Sequence, residues 1–307
     1  MTSGVAESIL DLIGHTPLLH LSRFAPQPLA QVFAKLEWCN PGGSVKDRAA
    51  LGMILDAEKR GALKPEATII EPTAGNTGIG LALVGIARGY RVILCVPRGY
   101  AVEKMKLIQA LGGEIEYVPN ESGMEGAIAR AHELAAKIER SFVPQQFENQ
   151  ANPCFHEQTT ASEVIEQMEG RIDAVVIGAG TSGTFVGVSR AVRRINPHVL
   201  CVLVEPEGSI YGGKPPGPKK IEGIGQKDFI PAIFDRSLAD EIMMVMDNET
   251  CAAIRALAKS EGVLGGWSTG AAAAAAKKVA ERLGPGKRIV TVFPDGIERY
   301  LSQGILD

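Results

Sequence analysis

The sequence predicts an α/β protein of two domains, each a mostly parallel sheet flanked by helices. Three observations carry this prediction. Short apolar runs alternate with longer helical patterns along nearly the whole chain, as strand–helix–strand crossovers require. Several of these runs end directly in glycine-rich loops that open a helix. A length of 307 residues also suits two domains, at roughly 150 residues each.

In order, residues 5–13 read as a helical start, 31–37 as a strand, and 46 to about 60 as a helix. Residues 68–72 form a short buried strand, followed by a helix over about 79–88. A strand at 91–97, a helix at 103–111, a strand at 114–118 and a helix at 123–140 complete the first block. The second block reads as helix 161–168, strand 174–177, a helix ending near 194, and strand 199–205. A Gly/Pro-rich loop spans 206–230, longer than compact connections usually are, which marks it as functional or mobile. Helices at 248–261 and from 268 precede a last strand at 288–293; Ala271 to Ala276 are strong helix formers. The expected domains are a smaller, mobile one over 41–145 and a larger, cofactor-binding one combining 1–40 with 146–307.

Composition excludes several classes. A net charge of −3 gives no footprint for nucleic acid or a membrane surface. No apolar run reaches the ~18–20 residues of a membrane span. Residues 1–10 carry Glu7 and no basic residue, unlike a signal peptide. The five cysteines are odd in number, scattered, and form no C-x-x-C pair. They therefore predict neither a disulfide framework nor a zinc site, and suggest a reducing cytoplasm.

One loop dominates the first block: Asn40-Pro-Gly-Gly-Ser-Val-Lys-Asp-Arg48. Pro41 stiffens it, Gly42 and Gly43 allow close approach of a ligand, and Ser44 is placed to cap the following helix. Lys46 then falls in a first helical turn, where cations are disfavoured and a free amine is easier to reach. The stretch alone fits either a covalent or cofactor-binding lysine or a solvated lysine paired with Asp47. Two further loops combine glycine with hydroxyl side chains at helix starts, Thr73-Ala-Gly-Asn-Thr-Gly78 and Gly178-Ala-Gly-Thr-Ser-Gly-Thr184. Free N–H groups and the positive dipole end make such places anion sites, so at least two anionic groups are expected. The second loop also fits the G-x-G-x-x-G dinucleotide pattern with Glu205 ending the next strand. An NAD-dependent dehydrogenase therefore stands as an alternative, though it leaves Lys46 and the 73–78 loop without a role.

These motifs, with Ser268-Thr-Gly-Ala271, Gln145-Gln146-Phe147, Asn152-Pro153, Gly217-Pro218, Gly223-Ile-Gly225 and Glu298-Arg-Tyr-Leu301, resemble the cysteine synthase and cystathionine β-synthase family. The likeness runs in order over nearly the whole chain. It implies the tryptophan-synthase-β-like fold, the cofactor pyridoxal 5′-phosphate and a homodimer. It also implies that Lys46 forms the Schiff base with the cofactor and acts as the catalytic base. Asn76 would meet the cofactor's 3′-oxygen. Gly180, Thr181, Ser182, Gly183 and Thr184 would hold its phosphate, and Ser268 its ring nitrogen. Thr73, Ala74, Gly75, Thr77 and Gln146 would bind the substrate α-carboxylate. The implied activity is β-replacement, O-acetyl-L-serine plus sulfide giving L-cysteine and acetate. The alternative within the family uses serine or an activated serine with homocysteine or another nucleophile. Three departures bear on the substrate. Ala74 replaces a common serine, Asp295 lies where relatives often carry Pro-Ser-Ser, and Lys219 takes a position often held by histidine.

Overall fold

The computed structural model describes residues 4–73, 75–99 and 102–306. In chain order the strands are β1 (Leu18–His20), β2 (Gln31–Leu36), β3 (Thr68–Pro72), β4 (Arg91–Pro97), β5 (Glu114–Val118), β6 (Ser141–Phe142), β7 (Ala174–Gly178), β8 (Leu200–Pro206), β9 (Glu241–Val245) and β10 (Arg288–Phe293). The helices are α1 (Lys46–Lys59), α2 (Asn76–Ala87), α3 (Val102–Ala110), α4 (Gly123–Lys137), α5 (Ala151–Gln158), α6 (Thr160–Gln167), α7 (Gly183–Ile195), α8 (Asp247–Glu261) and α9 (Trp267–Leu283). Two compact units result, residues 1–13 with 40–152 and residues 14–39 with 153–307. Leu10 and Ile13, in the segment expected with the larger domain, instead touch the core of the smaller unit.

The first unit holds a four-stranded sheet in the order β5-β4-β3-β6, parallel throughout. Every residue of β3 is buried, as is all of β4 after Arg91. Such unbroken β-branched runs suit a parallel strand covered on both faces. Alternation sends Ile69, Val92 and Leu94 to one face, against Ile54 of α1 and Val84 of α2. Ile70, Ile93 and Cys95 go to the other, against Ala127 and Ala131 of α4. The second unit holds a six-stranded sheet, β1-β2-β10-β7-β8-β9, parallel except for the β1–β2 pair. Its core joins Val176 of β7, Val204 of β8 and Phe293 of β10 to the alanine face of α9. Ala271, Ala272, Ala273, Ala275 and Ala276 are all fully buried. The alanine run is therefore a packing surface as well as a helix-forming one.

Six elements differ from expectation. Residues 5–13 form only a 3-10 turn, Ile9–Leu12, with Ser8 accepting the Leu10 N–H at 3.2 Å. Helix α2 starts at Asn76, a turn earlier than read, because Gly75 takes an extended cap conformation. Strands β1 and β6, helix α5 and strand β9 were not anticipated. The last is a half-buried edge strand, Glu-Ile-Met-Met-Val, whose pattern lacks clean alternation. Among the described residues, no helix is long and apolar enough to cross a membrane.

Parallel crossovers give each sheet a polarity that matters for the site. A helix leading into a parallel strand has its N-terminus at the carboxyl edge of the sheet, where ligands collect. In the first unit this applies to α1 and α2, which pack closely. A Cβ built on Gly80 of α2 would lie 2.8 Å from the carbonyl oxygen of Lys46. The missing side chain thus lets the second turn of α2 rest on the first turn of α1. Gly80→Ala should lower stability by on the order of 1 kcal/mol, overpacking outweighing alanine's helical preference. Urea unfolding should show a lower midpoint at unchanged slope; a rise in midpoint would mean that the contact is not tight.

Candidate active site

The expected site residues divide between the two units. In the first, Lys46 opens α1, with Val45 at the cap position. Ser44 lies one residue before Val45, and its hydroxyl accepts the N–H of Lys46, the first of the helix, at 3.2 Å. Asp47 is buried and accepts the Gly42 N–H at 2.6 Å, tightening the Pro-Gly-Gly turn around the lysine. Asn76 is the first residue of α2. Thr73 leaves β3 and its hydroxyl accepts the Gly75 N–H at 3.3 Å. Thr77 donates to the side-chain oxygen of Gln146 at 2.6 Å. That bond fixes the Gln146 amide so that its NH2 is the end left for donation. Ala74 lies outside the described residues.

In the second unit, β7 runs into the 178–184 loop and α7. The cap residue Ser182 has φ 72 and makes no side-chain cap bond, and the first turn of α7 contains no acid. The Tyr211 hydroxyl, beside Ser182, gives its proton to the Gly180 carbonyl at 2.7 Å, and burial pushes its pKa up. The buried Ser182 hydroxyl then makes no well-formed hydrogen bond among the described residues. An N-terminus with no side-chain cap, a buried hydroxyl beside it and no acid in its first turn suit a bound phosphate. Thr184 is backed by His156, whose Nε2 is 3.3 Å from its hydroxyl and whose Nδ1 is 2.8 Å from that of Thr160.

A second wall is formed by residues 223–225. A Cβ on Gly180 would meet the Gly223 carbonyl oxygen at 2.3 Å, and one on Gly223, at φ 84, would lie 3.6 Å from the Ser268 hydroxyl. The phosphate-type loop, the 223–225 loop and buried Ser268 are thus contiguous. Gly225 donates to the Ala179 carbonyl at 2.7 Å, and Gln226 Nε2 donates to Gly180 at 2.8 Å. Lys219 donates to the carbonyls of Ile224 and Gly225, both at 2.9 Å, and burial lowers its pKa to about 8. Asp295 is buried beside the start of α9: its carbonyl accepts from Gly266 N–H and the Thr269 hydroxyl, each at 3.1 Å. Its carboxylate accepts from the Tyr300 hydroxyl. The turn that carries it therefore braces the helix end bearing Ser268.

Glu205 does not face a ligand. It is buried and accepts the Gly212 N–H at 3.1 and 3.3 Å. The acid that a dinucleotide reading needs for a ribose is committed to a loop. Residues 9–295 match the family model of pyridoxal-phosphate dependent enzymes.

The chain belongs to the pyridoxal-phosphate-dependent enzyme family.

This membership replaces the dehydrogenase alternative and fixes the cofactor. The chain is 46% identical over 303 residues, 97% of each sequence, to a probable cysteine synthase of Bacillus subtilis. It is similar to the crystal structure of an O-ureido-L-serine synthase, with a TM-score of 0.95 and 42% identity over 99% of this chain and 96% of that one. An O-acetylserine-dependent cystathionine β-synthase from Helicobacter pylori is similar at a TM-score of 0.94 and 42% identity, over 98% and 99%. The residues present fit the family's cofactor, as the uncapped, acid-free start of α7 with its buried Ser182 indicates. Tyr211, Gln226 and His156, which brace the loop, were missed from sequence; their partners in it lie 31, 46 and 28 positions away, with no local motif to link them. Gly180→Ala should displace the 223–225 loop and weaken cofactor affinity at least about tenfold, near 1.4 kcal/mol. Fluorescence titration of the cofactor-free protein with pyridoxal phosphate reads this; an unchanged affinity would show that the wall yields freely.

Proposed function

We propose that this enzyme performs β-replacement, forming L-cysteine and acetate from O-acetyl-L-serine and sulfide. The observation that supports it most is the pairing of Thr77 with Gln146 at the start of α2. It gives the protein a second polar helix start, besides that of α7, suited to an amino-acid carboxylate. The likeness to the Bacillus subtilis relative supports the choice of sulfide.

When bound, pyridoxal phosphate supplies an electron-withdrawing ring that makes the substrate's α-proton removable and its β-substituent able to leave. Lys46 would be the residue that holds it. Its free amine would take the substrate's α-proton and return one after sulfide has added at Cβ. Gly180, Thr181, Ser182, Gly183 and Thr184 hold the phosphate, Asn76 the 3′-oxygen and Ser268 the ring nitrogen. A hydroxyl there is a neutral partner, so the nitrogen is not forced to carry a proton, which suits quick loss of a β-leaving group. Thr73, Ala74, Gly75, Thr77 and Gln146 receive the α-carboxylate. With no hydroxyl on Ala74, backbone N–H groups carry more of that binding. Movement of the 73–78 segment onto the carboxylate excludes water. The five cysteines, all free, support a cytoplasmic location, and the family resemblance supports a homodimer.

The structural likeness to the Helicobacter pylori enzyme favours one second reading, in which homocysteine replaces sulfide. Steady-state assays of the holoenzyme should give the higher kcat/KM for O-acetylserine with sulfide than for O-acetylserine or serine with homocysteine. Lys46→Ala should lower kcat by at least about 10²–10⁴-fold, the usual contribution of a positioned base. Preference for homocysteine would replace sulfide as the nucleophile, and retained turnover in Lys46→Ala would remove the lysine from the chemistry.

A further inference from the structure

We propose that Glu71 is the positioning residue for substrate-carboxylate binding, acting through Gln146. This rests on the reading above in which Gln146 and Thr77 receive that carboxylate. Glu71 sits near the carboxyl end of β3 and is fully buried. Among the described residues no ion pair to it is seen. Instead one carboxylate oxygen accepts the Gln145 N–H at 2.8 Å and the other accepts the Gln146 N–H at 2.9 Å. These residues follow β6, the strand paired with β3 in parallel register. Glu71 therefore ties the end of one strand to the turn leaving its neighbour.

That turn is otherwise self-contained. Gln145 has φ 57, a left-handed conformation unusual for a residue with a side chain. Glu148 and Asn149 both donate to its carbonyl at 2.9 Å. Asn149 Nδ2 donates to the Pro144 carbonyl at 2.9 Å, and Asn152 Nδ2 to that of Gln146 at 3.0 Å. From Gln146 the connection continues through its side-chain oxygen to Thr77 in the first turn of α2. The path runs from Glu71 to the Gln146 backbone, then through the Gln146 amide to Thr77.

The choice of side chain argues for a positioning role over simple packing. Glu71 is flanked by Ile70 and lies opposite Leu94, both fully buried. A carboxylate here is costly to desolvate. Burial pushes it up to about 7, opposed by the two N–H donors. An apolar residue would fill the space but leave two adjacent backbone donors unpaired. Only a side chain with two acceptor oxygens holds both and fixes the turn's orientation; glutamine would set its NH2 against one of them.

The test uses the holoenzyme with Glu71→Gln, Gln146→Ala and the double variant. Glu71→Gln should raise KM for O-acetylserine about tenfold while kcat stays within about threefold, the signature of lost uniform binding. The bound cofactor's absorption spectrum should be unchanged. In the Gln146→Ala background, Glu71→Gln should add nothing, because both act on one path. Thermal stabilisation by L-serine should fall in parallel, which reads binding without turnover. Should Glu71→Gln fail to fold, Glu71→Asp, with its carboxylate one methylene short, should show the same KM increase. An unchanged KM, losses that multiply in the double variant, or a fall in kcat with loss of cofactor would overturn the proposal. Absence of turnover in the unaltered enzyme would instead refute the proposed reaction, and the L-serine comparison would still decide the role of Glu71.

Discussion

The polarity of parallel β-sheet is the constraint on which the rest of this molecule depends. Every helix that returns the chain to a parallel strand begins at the sheet's carboxyl edge. The free N–H groups and positive dipole ends of several helices are therefore gathered at one edge of each sheet. In the first unit these are α1 and α2, which begin with Lys46 and Asn76. In the second they are α7 and α9, which place Gly183 and Ser268 in their first turns. Lys46, Asn76, Gly183 and Ser268 each lie in the first turn of such a helix.

Polarity alone gives concentrated partial charge without a shaped site. Shape comes from positions where no side chain fits. Gly80 admits the Lys46 carbonyl, and Gly180 admits that of Gly223. The walls are then locked by long-range polar contacts, with Tyr211 and Gln226 on the Gly180 carbonyl and Lys219 on the carbonyls of Ile224 and Gly225. Each of these places a polar group in a poorly solvated setting, which is tolerable only because its partners are met. Rigid walls and fixed donors are what a β-replacement reaction needs from its protein, since the cofactor brings the electronic chemistry.

Much of the fold was legible in the sequence, and the reason is local. Strands β3, β4 and β10 are apolar, rich in β-branched residues, and bounded by glycine or proline, so their limits could be read to the residue. The loops after β3 and β7 announced themselves through glycines and hydroxyls at helix starts. Strand β9 was missed because an edge strand is half exposed and its Met-rich pattern carries no period. Helix α5 was missed because it is short, polar and contains Pro153. The residues that set the geometry of the site were least legible. Glu71 reads as one acid in an apolar strand, and its partners lie 74 and 75 positions away. Glu205 gave a misleading signal: it ends the strand that follows a G-x-G-x-x-G loop, though further along than a ribose-binding acid usually lies, and its oxygens are used on Gly212.

The central claim is that Lys46 is the residue joined to the cofactor. It is tested most directly by reducing the holoenzyme with borohydride, digesting it, and locating the pyridoxyl group by mass spectrometry. A single modified peptide containing Lys46 is expected, at about one group per chain. Modification of Lys219 or any other lysine in its place, or no modified peptide from a protein saturated with cofactor, would contradict the assignment.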